Sequence, residues 1–191
     1  HSMIPLTVNF KAQALTDDEL RLQAPSVFAQ GPMNGLSSRY AFVPTTEIVA
    51  GLREKAWVPV HVEQQRPRSA PRFGFQKHLI RFRLAEQMQT LDEWNAELVL
   101  TNSHDAGCAY VIQVGIYRRL CSNGLVVSEQ EFQAIRFRHA GLQASEVVQA
   151  SYQIIEYVPR LGALIDRFRN RQLNDGEAIT FARGALVLRY G

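Results

Sequence analysis

The spacing of apolar positions changes period twice along this chain, and each change marks a boundary between structural classes. Before residue 58 the spacing is helical. Thr16-Asp17-Asp18-Glu19 has the form of a capping box, and the helix it opens must be short because Pro25 lies close behind. "AQGPMNGLSSRY" (29–40), rich in Gly, Pro, Asn and Ser, reads as a surface loop. In "PTTEIVAGLREKAW" (44–57), Thr45 can cap a helix whose Ile48, Val49 and Leu52 share one face, with Trp57 just past its end.

From Val58 the period is two. Val58, Val60 and Val62 alternate with Pro59, His61 and Glu63, which predicts a half-buried strand. "RPRSAPRFG" interrupts it as a basic loop. "HLIRFRL" restarts it, with Ile80, Phe82 and Leu84 to one side and Arg81 and Arg83 to the other. "ELVLT", "AYVIQVGIYRRL" and "FQAIRFR" supply three more strands, and Tyr110, Ile112, Val114 and Ile116 of the second of these face inward. The spacing then returns to helical from Val147 to Phe168, with Pro159 expected to kink or break the rod. Asn174-Asp175-Gly176-Glu177 opens a final helix that is still running at Gly191. The predicted class is α+β, a curved antiparallel meander of about five strands with helices packed on one face. Residues 1–3 read as the remnant of an expression tag and 4–191 as a single domain, truncated at its C-terminus.

A chain of 191 residues can bury a full core, and 21 basic against 18 acidic side chains lean only weakly towards an anionic partner. Two cysteines make no disulfide framework and fit a reducing cytoplasm, the expected compartment. No apolar run is long enough to span a bilayer, so no membrane partner is expected.

The densest polar motif is "LTNSHDAGCAYVIQVGIYRRLCSNGLVV" (100–127). One reading makes Cys108 or Cys121 a nucleophile, with His104 as base and Asp105 as orienter, which requires a thiolate held beside an imidazole. The simpler reading is a pair of tight turns. In it Asn102, Ser103 and Asp105 bond to backbone amides, and Ser122, Asn123 and Gly124 supply the second turn. Gly107 and Gly124 then take backbone angles that other residues avoid, and both cysteines are small apolar core residues. The turn is preferred, and no catalytic residue is assigned. His78, His104, Cys108, Cys121 and His139 match no metal-ligand spacing, so neither metal nor cofactor is expected.

Charge placement says more than net charge. From Gln64 to Ala85 the chain carries Arg66, Arg68, Arg72, Lys77, Arg81 and Arg83 with no acidic residue, interleaved with Phe73, Phe75 and Phe82. Guanidinium groups track a phosphate backbone and aromatic rings offer bases a stacking surface. Arg-Phe-Arg occurs at 81–83, 136–138 and 167–169; the first two lie in predicted strands, where the two arginines share a face, and the third lies in a predicted helix and cannot do this. Arg81, Arg83, Arg136 and Arg138, with Arg119 as an extension, would then line a basic stripe over an apolar core. The bland alternative is a solvated face whose arginines pair with acids on neighbouring elements.

"APSVFAQGP", "SSRYAFVPTTEIV", "FGFQKHLIRFR", "ELVLTNSHDAGCAYVIQVGIYRRLCSNGLVV" and "IRFRHAG" resemble, in order from about Leu15, the phage- and plasmid-borne family known as domain of unknown function 932. The resemblance implies a mobile-element setting and no catalytic residue. Its motif residues here are Asn102, Ser103, His104, Asp105, Cys121, Asn123 and Gly124. "AWVPVHVEQQ" also resembles the core of single-strand annealing recombinases, which pair a helix and "GW" with a strand ending in "QQ"; here Ala56 stands at the glycine. The expectation is a domain that binds nucleic acid, single-stranded DNA in preference, in recombination or replication, and that self-associates. The alternatives are an enzyme built on Asn102–Asp105 with Cys108, and an oligomeric protein-binding domain.

Overall fold

A computed structural model describes residues 13–67, 69–89, 94–118, 134–155, 163, 167 and 170–190. The chain forms two compact units, His1–Val158 and Pro159–Gly191. In the first, the order is α1 (Asp17–Gln23), α2 (Thr45–Glu54), β1 (Trp57–Gln64), β2 (His78–Leu84), β3 (Trp94–Asn102), β4 (Tyr110–Arg118), β5 (Ile135–Phe137) and α3 (Ala144–Ile155). The second contains α4 (Asp175–Tyr190). The five strands form one antiparallel sheet in the order β1-β2-β3-β4-β5, a meander in which every strand pairs with its chain neighbour.

Period-two patterning becomes rows across this sheet. Val62, Ile80, Leu100, Ile112 and Ile135 pair in register from one edge to the other. The first four are almost wholly buried, as are Phe82, Leu98 and Val114 in the neighbouring row. Helices α2 and α3 pack against each other and contact β1 and β4 respectively. Their apolar stripes, Ile48, Val49 and Leu52 on α2 and Val147 and Ile154 on α3, are buried. The close approach of the two helices needs Gly51, because a Cβ there would come within 2.8 Å of Val148 Cγ2. The architecture is α+β, as the patterning predicts.

Helix starts follow their signals except at α2. Thr16 caps α1 by accepting from the Glu19 amide at 3.3 Å, and the Glu19 carboxylate returns the bond to the Thr16 amide at 2.7 Å. Asn174 and Glu177 make the same exchange at α4. Thr45, expected as a cap, is instead the first helical residue behind Pro44, and its hydroxyl turns into the core.

Strand β1 also departs from its predicted phase. Trp57, Pro59 and Val62 are the buried positions, because the register slips between Pro59 and His61 and leaves Val60 as an extra residue. A bulge on an edge strand is where proline, lacking an amide proton, is tolerated. The Pro59 carbonyl is used by the Leu15 amide at 2.7 Å. The predicted rod through Pro159 lies, beyond Ile155, largely outside the described residues.

Candidate functional site

One end of the sheet collects five chain segments. Gln64 ends β1, His78 begins β2 and Asn102 ends β3, and these three pair in one row. Tyr110 begins β4 and pairs with Phe137 at the end of β5. The β3–β4 turn, Ser103 to Ala109, fastens the loops around it. The His104 amide donates to the Phe75 carbonyl at 2.9 Å, and the Met33 amide donates to the His104 carbonyl at 2.9 Å. Tyr40 Oη donates to the Ser103 carbonyl at 3.1 Å, and His139 Nε2 lies 3.0 Å from the Cys108 carbonyl. Inside the turn, Asp105 Oδ1 accepts from the Gly107 amide at 2.8 Å and Ser103 Oγ from the Cys108 amide at 3.0 Å. Sequence reasoning assigned the unusual backbone angle to Gly107, but the left-handed residue is Ala106, at φ 57°. Gly107 is needed for space instead: a Cβ there would sit 2.7 Å from Asp105 Oδ1. Cys121, Ser122, Asn123 and Gly124 lie outside the described residues.

Beneath the turn, Thr45 is the hub of a sealed polar cluster. Its Oγ1 lies 2.9 Å from His78 Nε2, 3.2 Å from His104 Nε2 and 3.0 Å from Tyr110 Oη, and it accepts from Asn102 Nδ2 at 3.1 Å. A hydroxyl has one proton and two lone pairs, so four neighbours exceed what it can serve. Tyr110 donates its own proton to the Val43 carbonyl at 3.0 Å. His78 Nδ1 faces the Gln76 carbonyl at 3.2 Å and Ser26 Oγ at 2.9 Å. That arrangement favours a proton on Nδ1 and leaves Nε2 to accept from Thr45. His104 Nδ1 and Asn102 Oδ1 are buried with no hydrogen-bond partner.

The cluster is built for neutrality. Burial pushes His78 down from 6.5 to about 4 and, together with its neighbours His78 and His139, pushes His104 down to about 3. Burial raises the Tyr40 hydroxyl to about 12, with the Asp105 charge adding to it. Burial also raises the Cys108 thiol, so the thiolate a nucleophile needs is disfavoured. A Cys-His-Asp relay is not assembled: His104 Nε2 faces Thr45, while Asp105 Oδ2 accepts from Arg72 at 2.9 Å. Among the described residues no three His, Cys, Asp or Glu side chains group as a metal site.

The basic residues divide. Arg81 and Arg83 turn to Glu97 on β3, with Arg83 Nη2 at 2.5 Å and Arg81 Nε at 3.3 Å, and Glu97 is 1% exposed. The stripe expected across the sheet is therefore interrupted at β2, where a carboxylate on the adjacent strand takes both guanidinium groups. Arg66, Lys77, Arg136 and Arg138 are exposed, and Arg72 is partly exposed beside its bond to Asp105. Phe73 is 66% exposed, whereas Phe75 is half-buried. Arg68 and Arg119 lie outside the described residues.

The family model described as "Domain of unknown function (DUF932)" matches residues 32–189. The chain belongs to the DUF932 family. Two similar curated proteins are UPF0380 protein YafZ and UPF0380 protein YfjQ of Escherichia coli (strain K12), each 30% identical over 177 residues. That match takes in 93% of this chain and 64% of each relative's own length. No solved structure matches the chain. Among the described residues no helix of this DUF932 chain is long and apolar enough to cross a membrane. Sequence reasoning missed three contributors to the sheet end: Thr45 as hub, Tyr40 as a clamp on the turn, and exposed Arg39 beside it. Tyr40 is stacked on His139 at 4.5 Å between ring centroids, and its position in "SSRYAF" was the only available signal.

Proposed function

We propose that this DUF932 domain binds nucleic acid, single-stranded DNA in preference, at the sheet end described above. The reading includes work in the recombination or replication of a phage- or plasmid-borne element in the cytoplasm. The observation that carries it is the company kept by Phe73. This exposed ring sits in a loop with Arg66, Arg72 and Lys77 that leaves the same end of the sheet as Arg138. Asp105 pairs with Arg72 at 2.9 Å and offsets its charge, which leaves exposed Arg66 and Lys77 as the cations this loop offers a phosphate. Cations that hold phosphates together with a free ring that stacks on any base are the two parts of sequence-tolerant single-strand binding.

A smaller observation favours the likeness to annealing recombinases. Ala56, at the position where those proteins carry glycine, has φ 63°, a left-handed conformation that glycine adopts without strain. The backbone before Trp57 thus keeps a glycine's shape without the glycine.

Titration of fluorescent single- and double-stranded oligonucleotides at two salt concentrations tests the proposal. Wild-type protein is expected to favour the single strand and to weaken steeply with salt. Phe73→Ala should lower affinity roughly fivefold or more without altering the salt slope. Lys77→Glu should flatten the slope. Wild-type protein that binds neither form at low salt would refute the reading.

A further inference from the structure

The exposed ring of Phe73 is carried by a loop with a defined shape. Ala70–Arg72 make a short 3-10 turn. The Phe73 amide donates to the Ala70 carbonyl at 3.1 Å, and the Phe75 amide to the Arg72 carbonyl at 3.0 Å. Between the two phenylalanines Gly74 turns the chain at φ 86°, in the left-handed region. These bonds shape the loop from within, and two more tie it to the β3–β4 turn, one on each side of Phe73. Before the ring, Arg72 Nη1 donates to Asp105 Oδ2 at 2.9 Å. After it, the Phe75 carbonyl accepts from the His104 amide at 2.9 Å. The Asp105 side chain is 7% exposed, and each of its oxygens has a separate task. Oδ1 accepts from the Gly107 amide at 2.8 Å and closes its own turn, while Oδ2 takes the guanidinium. A charge-assisted bond with one partner so buried gives direction as well as strength.

We infer that Asp105 is a positioning residue of the nucleic-acid site: through Arg72 it holds the loop in the conformation that presents the Phe73 ring to a base. This role rests on the nucleic-acid reading, and it gives a task to a residue of the 100–127 motif that the phosphate and stacking contacts leave unused. A loop ordered before binding spares the complex the cost of ordering it, so affinity depends on the Asp105–Arg72 link although Asp105 touches no base. An amide cannot replace the carboxylate. Asparagine keeps an oxygen for the Gly107 amide but turns its NH2 group towards the guanidinium, donor against donor. Asp105→Asn therefore cuts the link to the loop and leaves the turn closed.

The same substitution separates position from charge, because it removes a negative charge beside the loop and frees Arg72. Charge alone predicts tighter binding of a dT oligonucleotide. Positioning predicts weaker binding, by roughly threefold or more. In a Phe73→Ala background Asp105→Asn should lower affinity no further, since the ring it positions is gone. Amide hydrogen exchange reads the loop without any ligand. In Asp105→Asn the Phe73 and Phe75 amides should exchange roughly tenfold faster or more, relative to those of Ile80 and Leu100 in the sheet. Should that variant fail to fold, Arg72→Met cuts the same link from the exposed side and should show the same acceleration. An Asp105→Asn protein that binds as tightly as wild type or tighter, or loop amides that exchange no faster, would overturn the role of Asp105 and leave the Phe73 interface standing. If wild-type protein binds no oligonucleotide, the nucleic-acid reading falls and the role of Asp105 in it falls too.

Discussion

Arg-Phe-Arg stands on β2 and again at the end of β5, and these two of its three copies meet opposite fates. On β2, an interior strand, Phe82 is fully buried and both arginines are drawn to Glu97, leaving the Arg81 and Arg83 side chains 17% and 7% exposed. On β5, at the sheet edge, Arg136 and Arg138 are exposed and Phe137 is only half-buried. Local sequence is the same, so place in the sheet decides the outcome. An interior strand has a neighbour on each side to supply a carboxylate and exclude water, whereas an edge strand has one. The interior copy is buried against its counter-charge, and the edge copy leaves its arginines exposed.

The largest expected effect breaks the interior copy. Glu97→Gln leaves two guanidinium groups in a buried site without their counter-charge, and urea denaturation should show a loss of about 3–5 kcal/mol. Arg136→Ala and Arg138→Ala should stay within about 0.5 kcal/mol of wild type in the same assay. Equal losses in both sets would erase the distinction.

Acid is the next probe, since it acts on sealed histidines and not on exposed arginines. His78 and His104 titrate near 4 and 3 in the fold against 6.5 when unfolded, so the unfolded chain binds more protons below pH 6.5. Stability should be full above that value and should fall as pH drops towards 4 and then 3, by about 3 kcal/mol from His78 at the lower end of its window. A midpoint of urea unfolding independent of pH between 7 and 4 would contradict the sealed cluster. Thr45→Val removes the shared hydroxyl while keeping the shape, and should cost about 2 kcal/mol, read as a lower melting temperature. Smaller still, Ala56→Gly should stabilise by about 0.5–1 kcal/mol by relieving a left-handed alanine.

Much of the fold was legible because period two converts directly into faces: Ile80 and Phe82 of β2 and Tyr110, Ile112 and Val114 of β4 are buried where alternation puts them, whereas Leu84 is half-buried and Arg83, expected outside, is buried against Glu97. Strand β1 was misread for a physical reason. Its bulge shifts the phase halfway, and only Pro59 hints at it. The basic stripe was overextended because an acid-free run from Gln64 to Ala85 says nothing of a partner across the sheet. Glu97 stands 14 residues from Arg83 in the chain and one strand away in space. Thr45 was read locally as a cap, since its partners His78, Asn102, His104 and Tyr110 come from the β2–β4 region and meet only through strand register. Turn chemistry, being local, was read correctly at Ser103 and Asp105, wrongly at Asn102, whose amide donates to Thr45 while its Oδ1 accepts from no backbone amide, and misplaced by one residue at Ala106.

The contrast between the two Arg-Phe-Arg copies is tested most directly by the salt dependence of single-stranded oligonucleotide binding in an Arg136→Glu, Arg138→Glu double variant. If the edge copy holds phosphates, the slope of log affinity against log salt should shrink by about two relative to wild type while the fold stays intact. An unchanged slope in a properly folded variant would mean that exposure at the sheet edge carries no phosphate contact.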